Sequence, residues 1–307
     1  KAMTYDYLDQ MTSVDRPVFF DVEKLNVQSG GGLFDAPDKR MLVRHTEDFG
    51  RREYMSIVNK TYEVVLNSDI LLPFQKQLVN HFDPSVLEDM EIKDHVLKNG
   101  AVCYSEYILP RVSRPIETKT GHRTDLGLRW IMKNSFNGSS SVVLYGGLID
   151  FFCTNGMITG KFDVMKQRHT KNFEVEGFYR AFEDTVHKHT LVMDKYQEYA
   201  DKKVTSAVNV NLLFKKLVTP AVDAEVKSKR TNTLSDRLFV QYAEEAAVRG
   251  HNVFSVLSAL TNYASHGEQD GRFKVQKRAD ESALFKRQEQ VAKWTNSRVW
   301  EDYLEVA

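Results

Sequence analysis

The apolar residues of this chain change their spacing part-way along it, from a period near two in the first half to a period near 3.6 in the second. Strands place alternate residues on one face and helices every third or fourth, so the switch separates a strand-rich segment from a helical one. "RPVFFDVEKLNV" (16–27), "KRMLVRHTEDFG" (39–50) and "EYMSIVNKTYEVV" (53–65) carry β-branched and aromatic residues broken by Gly30-Gly31-Gly32 and Pro37. "AVCYSEYILPRVSRPIE" (101–117) alternates, with Val102, Tyr104, Glu106 and Ile108 on one side. "LGLRWIMKNS" and "SVVLYGGLIDFFCTNG" follow, and Asn137-Gly138 between them signals a hairpin, because Asn-Gly accepts the positive φ of a tight turn.

One helix interrupts the strands: "DILLPFQKQLVNHF", with Ser68 as its cap, Pro73 in its first turn, and Leu71, Leu72, Leu78, Val79 and Phe82 along one face. Helical spacing then dominates from Phe173 to about Lys203, in "VNLLFKKLVT", and from a cap at Thr233 or Ser235 to Gly250. It continues in "NVFSVLSALTNYASHG" and in a last helix through "ADESALFKRQEQVAKWTNSRVWEDYL". "VKSKRTNT" (226–233) reads as a flexible linker. The expected fold class is α+β: a strand-rich N-terminal half with antiparallel hairpins, then a helical C-terminal half. The expected division is a mainly β core with one helix over 1–170 and a helical region over 171–307.

A length of 307 residues with 42% hydrophobic and 27% charged residues can bury a sizeable core. Lys and Arg total 42 and Asp and Glu total 42, so a nucleic-acid site would have to be a local basic face balanced by acids elsewhere. Two cysteines in a chain of this length fit a reducing cytoplasm, and no apolar run approaches the roughly 18 residues of a membrane span.

Cys153 is the first candidate for chemistry. A nucleophilic cysteine needs a base or a positive field, for which His122, His169 and His266 are the available imidazoles. The competing reading is a buried, inert thiol in the central strand "DFFCTNG". His187 and His189 lie two apart on a helix, which turns them to different faces, so no metal site is expected. The glycines at 30–32 lack the lysine and helix of a phosphate cradle, so no nucleotide or other cofactor is expected either.

Local basic character is the stronger signal. Arg111, Arg114, Lys119, Arg123, Arg129 and Lys133 face only Glu117 and Asp125 in sequence, with His122 and Trp130 interleaved. A second cluster carries Lys161, Lys166 and Arg168 against Asp163. Cations that track phosphates beside rings that stack on bases suit single-stranded nucleic acid. In that expectation Trp130 and Phe136 stack on bases, while Asn137 and Ser139 in the turn touch the backbone.

The segments Asn134-Ser135-Phe136-Asn137-Gly138-Ser139, Phe152-Cys153-Thr154-Asn155-Gly156-Met157 and Ala259-Leu260-Thr261-Asn262-Tyr263-Ala264-Ser265-His266 resemble a family of uncharacterised proteins encoded by phages and plasmids. The order of the three segments matches, and the resemblance spans Met41 to His266. The chain departs from that pattern at Asn137, where Asp is common, and at Asp150-Phe151-Phe152, where an Arg commonly precedes the cysteine. The resemblance implies a cytoplasmic protein of the host bacterium and carries over no catalytic residue. Its genomic setting is similar to that of phage single-strand annealing proteins. That similarity implies ATP- and metal-independent binding and annealing of single-stranded DNA in recombination, homo-oligomeric rings or filaments, and an exonuclease partner. The alternatives are a host-directed or assembly protein acting through protein contacts, and a cysteine-dependent enzyme centred on Cys153.

Overall fold

A computed structural model describes residues 11, 16–28, 30–32, 35–46, 50–139, 142–163, 175–219, 229–266 and 281–307. Strands β1 (Val22–Gln28), β2 (Asp35–His45) and β3 (Arg52–Asn59) form a three-stranded antiparallel sheet in that order. Strands β4 (Glu91–Leu97), β5 (Val102–Glu117), β6 (Arg123–Ser135), β7 (Val143–Asp150) and β8 (Asn155–Asp163) form a five-stranded sheet whose spatial order is the chain order. Between the sheets come helix α1 (Asn67–His81) and the single turn α2 (Pro84–Leu87). The remaining helices are α3 (Val175–Asp201), α4 (Ala207–Val218), α5 (Lys229–Arg249), α6 (Val253–His266), α7 (Glu281–Thr295) and α8 (Arg298–Val306). The fold is α+β, with antiparallel sheets in the N-terminal half and helices in the C-terminal half.

The contacts gather the chain into two compact units that interleave in sequence. One comprises Lys1–Val112, Arg129–Gly146 and Gly160–His187, and the other Ser113–Leu128, Gly147–Thr159 and Lys188–Ala307. The interior of the first unit is aromatic. Phe74 of α1 meets Tyr107 of β5 edge-on at 4.9 Å, and Trp130 of β6 stacks on Phe182 of α3 at 5.4 Å. The core of the second unit is built from α3 to α8, with Ile116, Leu126, Leu148 and Met157 contributed by strands.

Several local expectations are corrected. Strand β5 is buried at every position from Val102 to Leu109 and alternates only beyond, because both of its faces are covered over that stretch. Strand β4 accompanies it only as far as Glu91 opposite Ile108, and Pro110 and Pro115, which have no N–H to offer, fall past that point. At the open end, the Gln197 amide donates to the Glu117 carbonyl and accepts its N–H, at 2.9 and 3.1 Å, in the manner of a neighbouring strand.

Helix α1 begins at Asn67 with Leu66 at the cap position, and the Asp69 carboxylate accepts the Leu66 N–H at 3.1 Å, so Ser68 lies inside the helix. Its buried stripe is Ile70, Leu71, Phe74, Gln75 and Leu78, while Leu72 and Val79 are exposed. Helix α5 starts at Lys229, which places Thr233 and Ser235 within it and makes the end of the expected linker helical. The last helix is two, because Ser297 leaves the helical conformation and its hydroxyl accepts the Trp300 N–H at 3.3 Å, starting α8 afresh.

Candidate functional site

The predicted cations and rings divide between the two units. In the first, Trp130 is fully buried, with its indole N–H donated to Thr185 at 2.7 Å, and Phe136 is equally buried against Phe20. Both are core rings and not stacking platforms, a correction that follows from the large apolar area each removes from water. Arg129 is buried too, and its guanidinium donates to Glu106 at 3.1 Å. The ammonium of Lys133 lies 5.5 Å above the Tyr104 ring. Arg111 is exposed but engages Asp89 at 2.7 Å, Glu88 at 2.8 Å and the Ser85 carbonyl at 2.8 Å.

The Asn137-Gly138 turn serves shape. Asn134 donates to the Val65 carbonyl and to Asn67, both at 2.9 Å, and the Phe136 carbonyl accepts the Ser56 hydroxyl at 2.6 Å. The Asn137 side chain accepts the Ser139 N–H at 3.0 Å, and Gly138 takes φ +70°. Backbone residue Lys161 belongs to β8, but its side chain lies outside the described residues, as do Lys166, Arg168 and His169.

In the second unit Arg114 pairs with Asp194, and Arg123 lies 3.8 Å from Glu117 and 3.6 Å from Asp125. Lys119, at the tip of the β5–β6 hairpin, is exposed and has no carboxylate partner among the described residues. The hairpin closes through the Thr118 N–H to the His122 carbonyl at 2.9 Å, with Gly121 at φ +86°.

Beside that hairpin stands a buried ionic group that the sequence did not announce. Arg249, at the end of α5 and wholly buried, donates to Asp150 of β7 at 2.7 Å and to Glu245 one helical turn earlier at 3.0 Å. Asp150 also accepts the Thr124 hydroxyl and, at 2.9 Å, the Phe152 N–H. Burial alone would lower the Arg249 pKa, but Asp150, Cys153 and Glu245 outweigh it and hold the guanidinium charged. Burial pushes the Glu245 pKa up, and its partner Arg249 offsets only part of that rise.

Cys153 lies in the β7–β8 turn, not within a strand, and its sulfur is 3.3 Å from Arg249 Nη2. The thiol is nonetheless pushed up to about 12, first by burial and then by Asp150, against the pull of Arg249. His266 Nε2 reaches the Cys153 carbonyl at 3.0 Å rather than the sulfur. The turn is fastened to α6 by further bonds: Asn155 donates to the Ser258 carbonyl at 3.4 Å, and the Gly156 N–H donates to the Ser265 hydroxyl at 2.9 Å. The two later segments that carry the family resemblance therefore dock on one another, and an arginine from α5 supplies the cation beside the cysteine.

This framework presents two phenylalanines to solvent. Phe151 is 37% and Phe152 58% exposed. Phe152 is held edge-on to His122 at 4.7 Å, with the Arg249 guanidinium 5.4 Å from its centroid. Phe151 lies so close over Gly127 that a Cβ there would sit 2.4 Å from its Cε2. Adjacent strand residues face opposite sides, so two neighbouring phenylalanines where a strand ends cannot both enter one core. That was the available signal for these residues, and sequence reasoning missed it.

No curated protein and no solved structure matches the chain. Among the described residues no helix is long and apolar enough to cross a membrane, and no three His, Cys, Asp or Glu side chains form a metal-holding group. A family model, a domain of unknown function (DUF932), matches residues 54–300. The chain belongs to the DUF932 family.

Proposed function

We propose that the chain binds single-stranded nucleic acid through the β5–β6 hairpin and the β7–β8 turn of its second unit. Bases stack on Phe151 and Phe152, and Lys119 and Arg123 meet the flanking phosphates. The observation that carries this reading is the pair of exposed rings, Phe151 against Gly127 and Phe152 against His122 and Arg249, where His122 shares its hairpin with Lys119, exposed and without a carboxylate partner among the described residues. Stacking on an aromatic ring is worth about 1–3 kcal/mol per base, whereas an exposed ion pair such as Arg123 with Asp125 is worth about 0–1 kcal/mol, so the arginine can exchange its acid for a phosphate. The biological setting proposed with this reading is a phage-type annealing protein in the bacterial cytoplasm, working without ATP or metal, as a homo-oligomer and beside an exonuclease.

The test is anisotropy of a labelled oligothymidylate at about 50 mM salt, where phosphate contacts are strong. Phe152→Ala should weaken binding about 5- to 150-fold, the equivalent of one lost stack. Unchanged binding in that variant, or none in the native protein, ends the proposal.

A second reading, docking of a protein partner on the same rings, is favoured by the matched charge of the hairpin, where Glu117 and Asp125 balance Lys119 and Arg123. Cysteine-dependent catalysis gains no support, because the acid-flanked, buried thiol is held protonated.

A further inference from the structure

We infer that His122 is a pH-sensitive latch on this surface: neutral, it wedges against Phe152 and fixes the ring for stacking, and protonated, it leaves its pocket and frees the ring. The consequence for binding rests on the function proposed above, while the latch itself rests on geometry alone. Both His122 ring nitrogens are buried without a hydrogen-bond partner among the described residues, and the ring meets Phe152 at 87°. Protonation would make both nitrogens donors and add a second cation beside Arg249, which is already fully buried with its own Nη1 unpartnered among the described residues.

The charged groups that act on the imidazole are Arg249 of α5 and Asp150 at the end of β7, and Arg249 in turn holds Glu245 of α5 and the Cys153 sulfur of the β7–β8 turn. On its own hairpin Thr118 bonds its backbone, and Lys119, Arg123, Glu117 and Asp125 all point into solvent. Burial first, and then Arg249, hold the imidazole below its ordinary pKa, and Asp150 restores only part of the loss. Water outside the pocket can satisfy an imidazolium that the pocket cannot, so acid drives the ring out.

The experiment follows the His122 and Phe152 ring resonances of the full chain by NMR from about pH 7.5 to about pH 5, the range in which histidines titrate. Oligothymidylate affinity is measured over the same range. His122 should titrate below its ordinary value, with the Phe152 resonances moving in the same step. Affinity should then fall up to about tenfold per pH unit below that step. In His122→Phe, which keeps a ring against Phe152 but cannot ionise, the Phe152 resonances should stay fixed across the range. A His122 titration at or above the ordinary value, or Phe152 signals indifferent to it, overturns the latch. Absence of oligonucleotide binding at every pH with the coupled titration intact overturns the proposed function and leaves the latch standing.

Discussion

The buried Arg249 guanidinium gathers two carboxylates, a thiol and the exposed ring of Phe152 around itself, and each neighbour should respond differently to substitution. Asp150→Ala leaves the guanidinium short of its strongest partner, so urea unfolding should show a loss of about 3–5 kcal/mol. Glu245→Gln keeps the shape and a hydrogen-bonding group while removing a carboxylate whose ionisation burial already opposes, so the loss should stay below about 1 kcal/mol. The two titrating groups also have opposite signs. The folded pKa of Glu245 is raised, so folding disfavours its ionised form, and its contribution improves as pH falls from neutral through that raised value. The folded pKa of His122 is lowered, so its contribution is complete above its unfolded value of about 6.5 and is lost as pH falls from there through the lowered folded value. Urea midpoints for native, Glu245→Gln and His122→Phe proteins between about pH 7.5 and 4 separate the two slopes. Iodoacetamide near pH 8 should label Cys153 only after denaturation, since the native thiol is almost wholly protonated there, and rapid native labelling would revive the cysteine enzyme.

At the scale of elements, the hairpins and helices were legible where one local rule decided them, and obscure where a side chain from far away did. Asn137-Gly138 and Gly250 each marked an end that backbone sterics alone require. The break before α8 was hidden because the apolar spacing of Val291, Trp294 and Val299 runs across Ser297, and only the hydroxyl bond to Trp300 shows it acting as a cap. The stripe of α1 was misread because Gln75 faces inward, where it donates to the Tyr107 hydroxyl at 2.8 Å, while Leu72 faces out. Gly127 was legible only as a strand residue, and its purpose came with the ring of Phe151 lying on it. Gly127→Ala should cost about 1–3 kcal/mol by chemical denaturation and dislodge Phe151, since the ring must move to admit the methyl group. A variant as stable as the native protein with Phe151 unmoved would show that the close approach is not what fixes the ring.

At the scale of the whole molecule, the α+β class followed from the change of period, whereas the two units could not, because they are stitched from segments far apart in sequence. The basic clusters misled for the same reason. The acids that neutralise them arrive from elsewhere on folding: Asp194 lies 80 residues from Arg114, Asp89 lies 22 from Arg111, and Glu106 lies 23 from Arg129. At the surface of the second unit two of those cations, Lys119 and Arg123, stay exposed beside the exposed rings of Phe151 and Phe152, and in the proposed function stacking is the main source of affinity. The direct test is the salt dependence of oligothymidylate binding by native protein and Phe152→Ala. Two phosphate contacts on a single strand give a log–log slope of about −1.4, and the variant should lose affinity while keeping that slope. A slope near −4, as six distributed cations would give, together with an unaffected variant, would contradict the account.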